Sequence, residues 1–263
     1  MQPLTPGNTR VKEARKLSRR SVRTERRLFL ADGPKAVEGA LRVEGCVVEV
    51  FATPAATHKY AEFVAAAPRW TLVTEEAMAS LSDSVAPAGV VAVCHPIDAP
   101  LAHVLTASGR LLVICADVRD PGNAGTVIRT ADAAGADGVV LAGHSVDAFN
   151  PKTVRATVGS LFHLPLAIEP DPAEAIAKAQ ARGLTVLAAD GEGEVDLFEA
   201  DELLAAPTAW LMGNEAWGLP DEIAALADHR VRIPIGGRAE SLNLSTAAAV
   251  CLFASAKAQR ARG

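Results

Sequence analysis

Short, uniformly apolar runs alternate with helical segments along the chain. In the first part, the runs LFLA, CVVEVFAT and WTLVT predict strands. A basic stretch at 8–33 predicts a helix leading into LFLA, PKAVEGALR predicts a second helix, and 54–68 a third. This alternation of strands and helices indicates a small α/β domain.

A second α/β series begins at RLLVICADV. Its further predicted strands are GVVLAG, PLAI, LTVLAAD, TAWLMG and HRVRIPI, with helices at about 124–135 and from near Asn243. Strands that are apolar throughout are typical of a parallel sheet covered on both faces. Between the two series, CHPIDAPLAHVLTASG has two prolines and no clear period, so we predict domains at 1–97 and 110–263 joined by a linker at 98–109.

Charge is distributed unevenly. The chain has a net charge of −5, which by itself argues against a nucleic-acid-binding protein, yet residues 1–42 contain 11 Lys and Arg against 4 Asp and Glu. Local positive charge attracts phosphate because binding releases condensed counterions. The alternative is a solvated helix face. The candidate phosphate-binding cations of this stretch are Arg15, Lys16, Arg19, Arg20, Arg23, Arg26 and Arg27.

Cysteine usage and hydropathy bear on the compartment. The four cysteines are far apart in apolar surroundings and form neither a C-x-x-C pair nor a Cys/His cluster, so we expect reduced thiols, a cytoplasmic protein and no bound metal. No apolar run approaches the ~18 to 20 residues that a membrane span requires. We expect no membrane association.

The loops that follow the predicted strands carry the candidate chemistry, since ligands in such sheets bind where strands end. The loop DVRDPGNAGTVIRTADAAG places Asn123 at the start of a helix and Arg129 further along it. The loop LMGNEAWGLP lacks both the Walker ending and the G-x-G-x-x-G fingerprint, so a phosphate loop and a nucleotide-dependent dehydrogenase are disfavoured. Each loop alone is also compatible with an ordinary strand-to-helix turn.

The third loop, RIPIGGRAESLNLS, crowds Glu240, Ser241 and Asn243 among apolar residues. A helix cap accounts for one polar side chain, but not for all of them. Burying an unpaired polar group costs ~1 to 3 kcal/mol, so we expect these groups to serve a ligand.

Together the three loops resemble the motifs of the SpoU-type branch of the SPOUT methyltransferases, close to the thiostrepton-resistance type of ribosomal RNA methyltransferase. The pattern N-x-G-x-x-x-R-x-A is matched by Asn123, Gly125, Arg129 and Ala131. The pattern G-N-E-x-x-G is matched by Gly213, Asn214, Glu215 and Gly218. The third pattern is matched by Ile233, Pro234, Gly236, Glu240, Ser241, Leu242, Asn243, Leu244, Ser245 and Ala247.

The N-terminal part is similar to the family's RNA-binding domain, which has a small ribosomal-protein-like fold. Asn8, Val11 and Lys12 match N-x-x-V-K, while Asp32 replaces the usual Glu in F-L-x-E-G. The segment PKTVRATVGSLFHLPL also matches the family, with Arg155 in its basic position. The resemblance implies an N-terminal RNA-binding α/β domain and a C-terminal parallel-sheet methyltransferase domain with a trefoil knot.

The resemblance also implies roles for single residues, including RNA binding by Arg155 and by the seven candidate cations of the basic stretch. Catalytic roles are implied for Arg129, Asn123, Glu215, Ser241 and Asn243. An S-adenosylmethionine pocket is implied for Leu211, Met212, Gly213, Asn214, Gly218, Ile233, Ile235, Leu242 and Asn243. Because a guanidinium stays protonated, we expect Arg129 to bind phosphate and stabilise a developing alkoxide, with Asn123 and Glu215 positioning Arg129 or the phosphate.

The activity implied by the resemblance is methyl transfer from S-adenosylmethionine to a ribose 2′-hydroxyl by a homodimer, with 23S ribosomal RNA favoured as the substrate. A transfer-RNA ribose methyltransferase is the alternative, although those members usually carry shorter terminal extensions. A non-catalytic RNA-binding protein with a knotted fold is the third reading. It would require a damaged motif, and all three motifs are intact.

Overall fold

The computed structural model describes residues 2–106 and 108–261. Contacts divide them into two compact units. Unit 1 comprises the residues up to Ile97 together with Asp147–His163, and unit 2 comprises Asp98–Val146 together with the residues from Leu164 onward. Residue 107 of the predicted linker lies outside the described residues.

Helices and strands alternate through both units. The helices are α1 Thr9–Arg15, α2 Arg20–Arg26, α3 Pro34–Arg42, α4 Pro54–Lys59, α5 Ala61–Ala66, α6 Glu75–Leu81, α7 Leu101–Val104, α8 Pro121–Ala134, α9 Pro151–Thr157, α10 Pro172–Ala181, α11 Asp201–Leu204, α12 Asp221–Ala224 and α13 Leu244–Arg260. The strands are β1 Phe29–Asp32, β2 Val47–Ala52, β3 Trp70–Leu72, β4 Val90–Cys94, β5 Leu111–Ala116, β6 Gly138–Ala142, β7 Leu166–Glu169, β8 Thr185–Ala189, β9 Val195–Asp196, β10 Thr208–Met212 and β11 His229–Arg232.

Unit 1 is built on a four-stranded mixed sheet in the order β1-β4-β2-β3. β4 pairs antiparallel with β1 and β2, and β2 pairs parallel with β3. Val11 of α1, Leu17 just after it and Met78 of α6 form a core with Leu30 and Phe51 of the sheet. The N-terminal α/β expectation is therefore confirmed.

Two predicted helices are each broken into two. Arg19 has an extended backbone (φ −90°, ψ 130°), so the basic stretch forms α1, a 3₁₀ turn at Lys16–Ser18 and α2 rather than one helix. Tyr60 (φ −118°, ψ 47°) separates α4 from α5 within 54–68. Both predictions of one continuous helix were wrong, because hydrophobic periodicity does not reveal a local change of backbone conformation.

The segment 147–163 packs within unit 1, whereas the predicted C-terminal domain includes it. Phe149 and Phe162 lie beside Phe29 of β1, with ring centroids 4.7 and 6.2 Å away. A Cβ at Gly159 would lie 2.8 Å from the Lys35 carbonyl oxygen, so glycine allows this close approach. Aromatic packing thus holds the segment to β1 and α3 of unit 1.

Unit 2 contains a seven-stranded sheet in the order β7-β6-β5-β10-β8-β11-β9, and every pair is parallel. α7 and α10 pack on one face. α8 and α13 pack on each other, and Ser255 of α13 accepts a hydrogen bond from the buried Trp210 on the opposite face (2.9 Å). The predicted parallel sheet with both faces covered is confirmed.

Capping residues fix where the helices of unit 2 begin and end. Asp120 accepts from the Asn123 backbone N–H (2.8 Å) and Pro121 occupies the first turn of α8, which ends at Gly135 in the left-handed region.

None of the helices in 2–106 and 108–261 has the length and apolar composition needed to span a membrane.

Candidate functional site

A cavity of about 300 Å³ opens in unit 2 beyond the carboxyl ends of β8, β10 and β11. This volume lies at the lower end of the range for small-molecule sites. The apolar part of its wall is formed by Ala189, Met212, Ala216, Val231, Ile233, Ile235, Leu242, Leu244 and Ala247. The position agrees with the rule that parallel sheets bind ligands at the carboxyl ends of their strands.

Most residues predicted to bind the cofactor lie in this wall. Seven of the nine line the cavity: Met212, Gly213, Asn214, Gly218, Ile233, Ile235 and Leu242. Leu211 does not, because its side chain is fully buried in the core on the α7 and α10 face of the sheet. Asn243 is also absent from the wall and instead bonds to Asn123.

The loop after β10 folds back on itself at the cavity. Asn214 and Gly218 exchange two backbone hydrogen bonds (2.8 and 3.0 Å), and Gly218 is left-handed (φ +70°). A Cβ at Gly213 would lie only 2.4 Å from the Gly218 carbonyl carbon. Glycine is therefore required at 213, and backbone approaches backbone here without any intervening side chain.

Glu215 joins this loop to the loop that precedes α8. Its carboxylate accepts hydrogen bonds from the backbone N–H groups of Arg119 (3.1 Å) and Asp120 (2.9 Å), and from the Asn123 side-chain amide (3.3 Å). Bonds from N–H donors to an ionised acceptor are among the stronger protein hydrogen bonds. The first and second motifs are thereby held against each other.

Asn243 joins the third motif to the first. Its side-chain N–H donates to the Asn123 side-chain oxygen (3.1 Å), while its own oxygen accepts from the backbone N–H and hydroxyl of Ser245 (2.9 and 2.7 Å). Asn243 is thus the cap of α13 as well as a link between loops. The three motifs form one hydrogen-bonded chain, Glu215–Asn123–Asn243.

Arg129 lies on α8 outside this chain. Its side chain is exposed, and it has no hydrogen-bond or ion-pair partner among residues 2–106 and 108–261. Asn123 and Glu215 do not contact Arg129 in the described part of the chain, because the Asn123 side chain bonds Glu215 and Asn243 while Glu215 also accepts from loop backbone. That they position the phosphate instead stays a prediction.

The third loop is more exposed than the sequence predicts. Glu240, Ser241 and Asn243 are exposed, and so are the neighbouring Ile235 and Leu242. The expected cost of burying unpaired polar groups therefore does not arise in one copy of the chain. Glu240 and Ser241 nevertheless line the cavity, as a ligand-contacting role requires.

The cations of the N-terminal stretch lie on the surface of unit 1, with one exception. Lys12, Arg15, Lys16 and Arg19 surround a depression of about 400 Å³. Arg20, Arg26 and Arg27 are exposed as well, and Arg26 and Lys16 each pair with Glu13 (2.6 Å). This arrangement concentrates positive charge along α1, the 3₁₀ turn and α2.

Arg23 is the exception, with 5% of its surface exposed. Its guanidinium donates to Asp147 (2.6 and 2.9 Å) and to the carbonyl oxygens of Leu17 and Ser18 (2.9 and 2.8 Å). A buried pair of this kind is costly to break. Arg23 therefore holds unit 1 together, and its predicted role in RNA binding is wrong.

Arg155 is also held by acids of unit 1. It lies 3.5 Å from Asp83 and 4.0 Å from Asp32, whose carboxylate accepts from the Ser82 hydroxyl (2.6 Å). Burial raises the pKa of Asp32, and the Ser82 hydrogen bond and the Arg155 charge oppose that rise. Arg155 retains 37% side-chain exposure, so contact with RNA remains a prediction.

Sequence reasoning missed two residues beside the cavity. Arg119, in the loop before α8, lies with its guanidinium carbon 5.2 Å from the centre of the Trp217 ring, in the loop after β10. Trp217 occupies a position that the second motif leaves open, so the motif gives no reason to select it. The only hint is an aromatic residue in an otherwise small and polar loop.

A model of the SpoU rRNA methylase family matches residues 110–253, which carry all three motifs. The chain belongs to that family. A model of the MRM3-like substrate binding domain matches residues 8–92, in unit 1. The family predicted from the three motifs is confirmed.

Relatives of this SpoU-family protein include enzymes of both RNA classes. The 23S rRNA (guanosine(2553)-2′-O)-methyltransferase of Bacillus subtilis is 32% identical over 94% of this chain and 95% of its own. The tRNA (guanosine(18)-2′-O)-methyltransferase of Thermus thermophilus is 40% identical over 58% of this chain and 75% of its own. The AdoMet-bound rRNA methyltransferase of Sinorhizobium meliloti superposes with a TM-score of 0.85 at 35% identity, covering 97% of both chains.

Proposed function

We propose that this protein transfers a methyl group from S-adenosylmethionine to a ribose 2′-hydroxyl of 23S ribosomal RNA. The observation that carries the proposal is the Glu215–Asn123–Asn243 chain, which assembles all three motifs beside one cavity. The ribosomal substrate is favoured over transfer RNA because the 23S relative matches nearly the whole chain, including unit 1, whereas the transfer-RNA relative matches 58% of it.

The cavity fits the cofactor in chemical character. Apolar side chains such as Met212, Ile233 and Leu242 can pack on an adenine ring, and Gly213 and Gly218 line the same cavity without a side chain that would occupy it. Bound S-adenosylmethionine supplies an electrophilic methyl group, so the chain itself needs only to bind, orient and control charge.

Arg129 is assigned to the RNA and to the developing negative charge. An exposed guanidinium without a partner among the described residues can clamp a phosphate in bidentate fashion and can also stabilise an alkoxide. Ser241 lines the cavity, and we assign it to contact with the reacting ribose. Asn123, Glu215 and Asn243 act by holding the three loops in register rather than by contacting Arg129.

The cationic surface of unit 1 is assigned to the phosphates of the same RNA. The exposed cations on α1, the 3₁₀ turn and α2 provide a sequence-independent attraction. A substrate-binding role for unit 1 agrees with the match of residues 8–92 to a substrate-binding domain.

A homodimer formed through α13 and the neighbouring loop belongs to the same proposal. Phe253 of α13 is 49% exposed, and Ile235 and Leu242 of the loop are 39% and 38% exposed. Association would cover these apolar side chains and would bring further groups to a cavity that one chain leaves open.

The trefoil knot and a cytoplasmic location are also proposed. Four free, buried thiols support the cytoplasmic location.

Substitution of Arg129 tests the assignment. In Arg129→Ala we expect S-adenosylmethionine affinity within a few-fold of wild type and at least a roughly 100-fold loss of tritiated methyl transfer to protein-free 23S rRNA, because the guanidinium acts on RNA and not on the cofactor. Arg129→Lys should also fail, since an ammonium lacks the planar fork. Arg182→Ala, an exposed arginine after α10, is the matched control. Near-normal turnover of Arg129→Ala would refute the role.

A further inference from the structure

Trp217 differs in its surroundings from the other two tryptophans. Trp210 is fully buried and donates its indole N–H to Ser255, and Trp70 donates to the Thr57 hydroxyl. Trp217 is 54% exposed, and its indole N–H has no hydrogen-bond partner within the described ranges. An aromatic side chain left this open offers a flat apolar face to whatever binds beside it.

The position of Trp217 is set by the cavity loop. Its chain neighbours Ala216 and Gly218 both line the cavity while Trp217 itself does not, so Trp217 lies next to the cavity and outside its wall. The Asn214 side chain accepts from the Ala216 backbone N–H (2.8 Å), and the exchange of hydrogen bonds between Asn214 and Gly218 closes the turn. The backbone that carries the indole is therefore held on both sides.

Arg119 is placed against Trp217 by the same contacts that join the motifs. Glu215 accepts from the Arg119 backbone N–H, which fixes the start of the Arg119 side chain beside the loop that carries Trp217. The guanidinium then lies 5.2 Å from the ring centre, within the range of a cation–π contact. Arg119 is exposed and has no acidic partner in the described part of the chain, so its charge is available to a ligand.

We propose that Trp217 and Arg119 form a stacking platform for a nucleobase of the RNA, at or next to the nucleotide whose ribose is methylated. This inference rests on the proposed function. Bases stack on aromatic faces and on guanidinium planes, which is the usual way in which single-stranded RNA is recognised. The positive charge of Arg119 favours a polyanion over an uncharged apolar occupant.

Three variants of the full-length protein test the platform, with protein-free 23S rRNA as the probe. For Trp217→Ala we expect the KM for RNA to rise roughly 5- to 100-fold, as the loss of one stacked base predicts, with a much smaller change in kcat. Trp217→Phe should regain most of the loss because a flat π face remains. Arg119→Ala should raise the KM and reduce its salt dependence. S-adenosylmethionine affinity should stay at the wild-type value in all three.

Phe198→Ala is the control, since Phe198 is an exposed aromatic residue of unit 2 distant in sequence from the motifs. A second readout does not depend on turnover: RNA should quench tryptophan fluorescence in the wild type and much less in Trp217→Phe, which keeps Trp70 and Trp210. Reduced quenching in a variant that still binds RNA supports stacking.

Three results would overturn the platform: an unchanged KM in Trp217→Ala, a Trp217→Phe variant no better than Trp217→Ala, or a halved molecular mass of Trp217→Ala, which would make Trp217 a contact between two copies. The proposed function fails separately, if the wild type methylates no ribosomal RNA. In that case the quenching comparison still decides whether the indole meets RNA.

Discussion

Glu215 shows how one carboxylate can hold two segments of a site together. It accepts from two backbone N–H groups and one side-chain amide of another loop. In Glu215→Gln the amide places an N–H against at least one of these donors. We expect the free energy of unfolding to fall by only about 1 kcal/mol, because the site is exposed. S-adenosylmethionine affinity should weaken roughly tenfold or more, because the loops around the cavity lose their relative positions.

Calorimetry and thermal unfolding of Glu215→Gln measure the two effects separately. Glu222→Gln, an exposed carboxylate on α12, should change neither quantity. Normal cofactor affinity in Glu215→Gln would show that the loops keep their arrangement without this carboxylate.

Asp32 gives a pH-dependent prediction. Burial raises the pKa of its carboxyl in the folded state above the ordinary value of 3.8. The stabilisation from the protonated form is therefore complete below about pH 3.8 and is lost as pH rises through the raised value. Asp32→Asn cannot titrate at this position. Its free energy of unfolding relative to wild type should therefore increase as pH rises from about 3.8 to the raised pKa, and should then level off.

Urea unfolding across this pH range tests Asp32, with the exposed Glu62→Gln as the control. The free-energy difference between wild type and Asp32→Asn should change with pH, whereas that of the control should stay nearly constant. A difference for Asp32→Asn that is flat between about pH 3 and about pH 7, a window around the ordinary value, would contradict the raised pKa.

At the residue scale, the sequence predicts what its motifs contain and little else. Asn123, Glu215 and Asn243 were selected by motif and are joined in the structure. Arg23 was selected for its charge, yet its role depends on Asp147, which is remote in sequence. Trp217 could not be predicted, because an exposed contact between two loops leaves no periodic pattern in the sequence.

The cationic elements α1 and α2 give a prediction about RNA affinity. Reversing Arg15, Arg19 and Arg20 to Glu should weaken binding to every RNA sequence alike, because phosphate contacts carry no base information. The slope of log affinity against log salt should become shallower by ~0.7 to 0.9 for each phosphate that the variant no longer neutralises. Cofactor affinity should not change.

Titrations at several salt concentrations decide between phosphate binding and a solvated surface. A control with the same change in charge reverses Arg42, Lys59 and Arg182, which lie outside α1 and α2. Equal salt slopes for the two triple variants would leave the α1 and α2 cations without their proposed role.

At the element scale, burial determines what could be predicted. The core strands β5, β6, β8 and β10 were predicted because they are apolar on both faces. β4 is equally apolar but was left out because it runs directly into the proline-containing segment taken as a boundary. The break at Arg19 could not be predicted, because basic residues continue through it without any change in pattern.

At the scale of the whole molecule, the proposed dimer depends on α13. Phe253→Glu would place a charge in the covered surface, so we expect the solution mass to fall to that of one chain and S-adenosylmethionine affinity to fall with it. Light scattering at micromolar concentration measures the mass. Phe198→Glu should leave it unchanged, and a wild type that is already monomeric would contradict the dimer.

The division of the chain into units could not be taken from composition. Proline content suggested one boundary near residue 97, and unit 1 does include all described residues up to Ile97. The return of 147–163 to unit 1 depends on Phe149 and Phe162 meeting Phe29, which is far away in the sequence. Long-range aromatic packing of this kind is invisible to local periodicity.

The split of unit 1 along the sequence has a consequence for its synthesis. A ribosome releases β1 early, but Phe29 cannot meet Phe162 until residue 163 has emerged. Because synthesis adds roughly 5–20 residues per second, an apolar face of the first sheet stays uncovered for several seconds. We expect chaperones to be able to bind the nascent chain during that interval, and the buried pair of Arg23 and Asp147 cannot form until Asp147 has emerged.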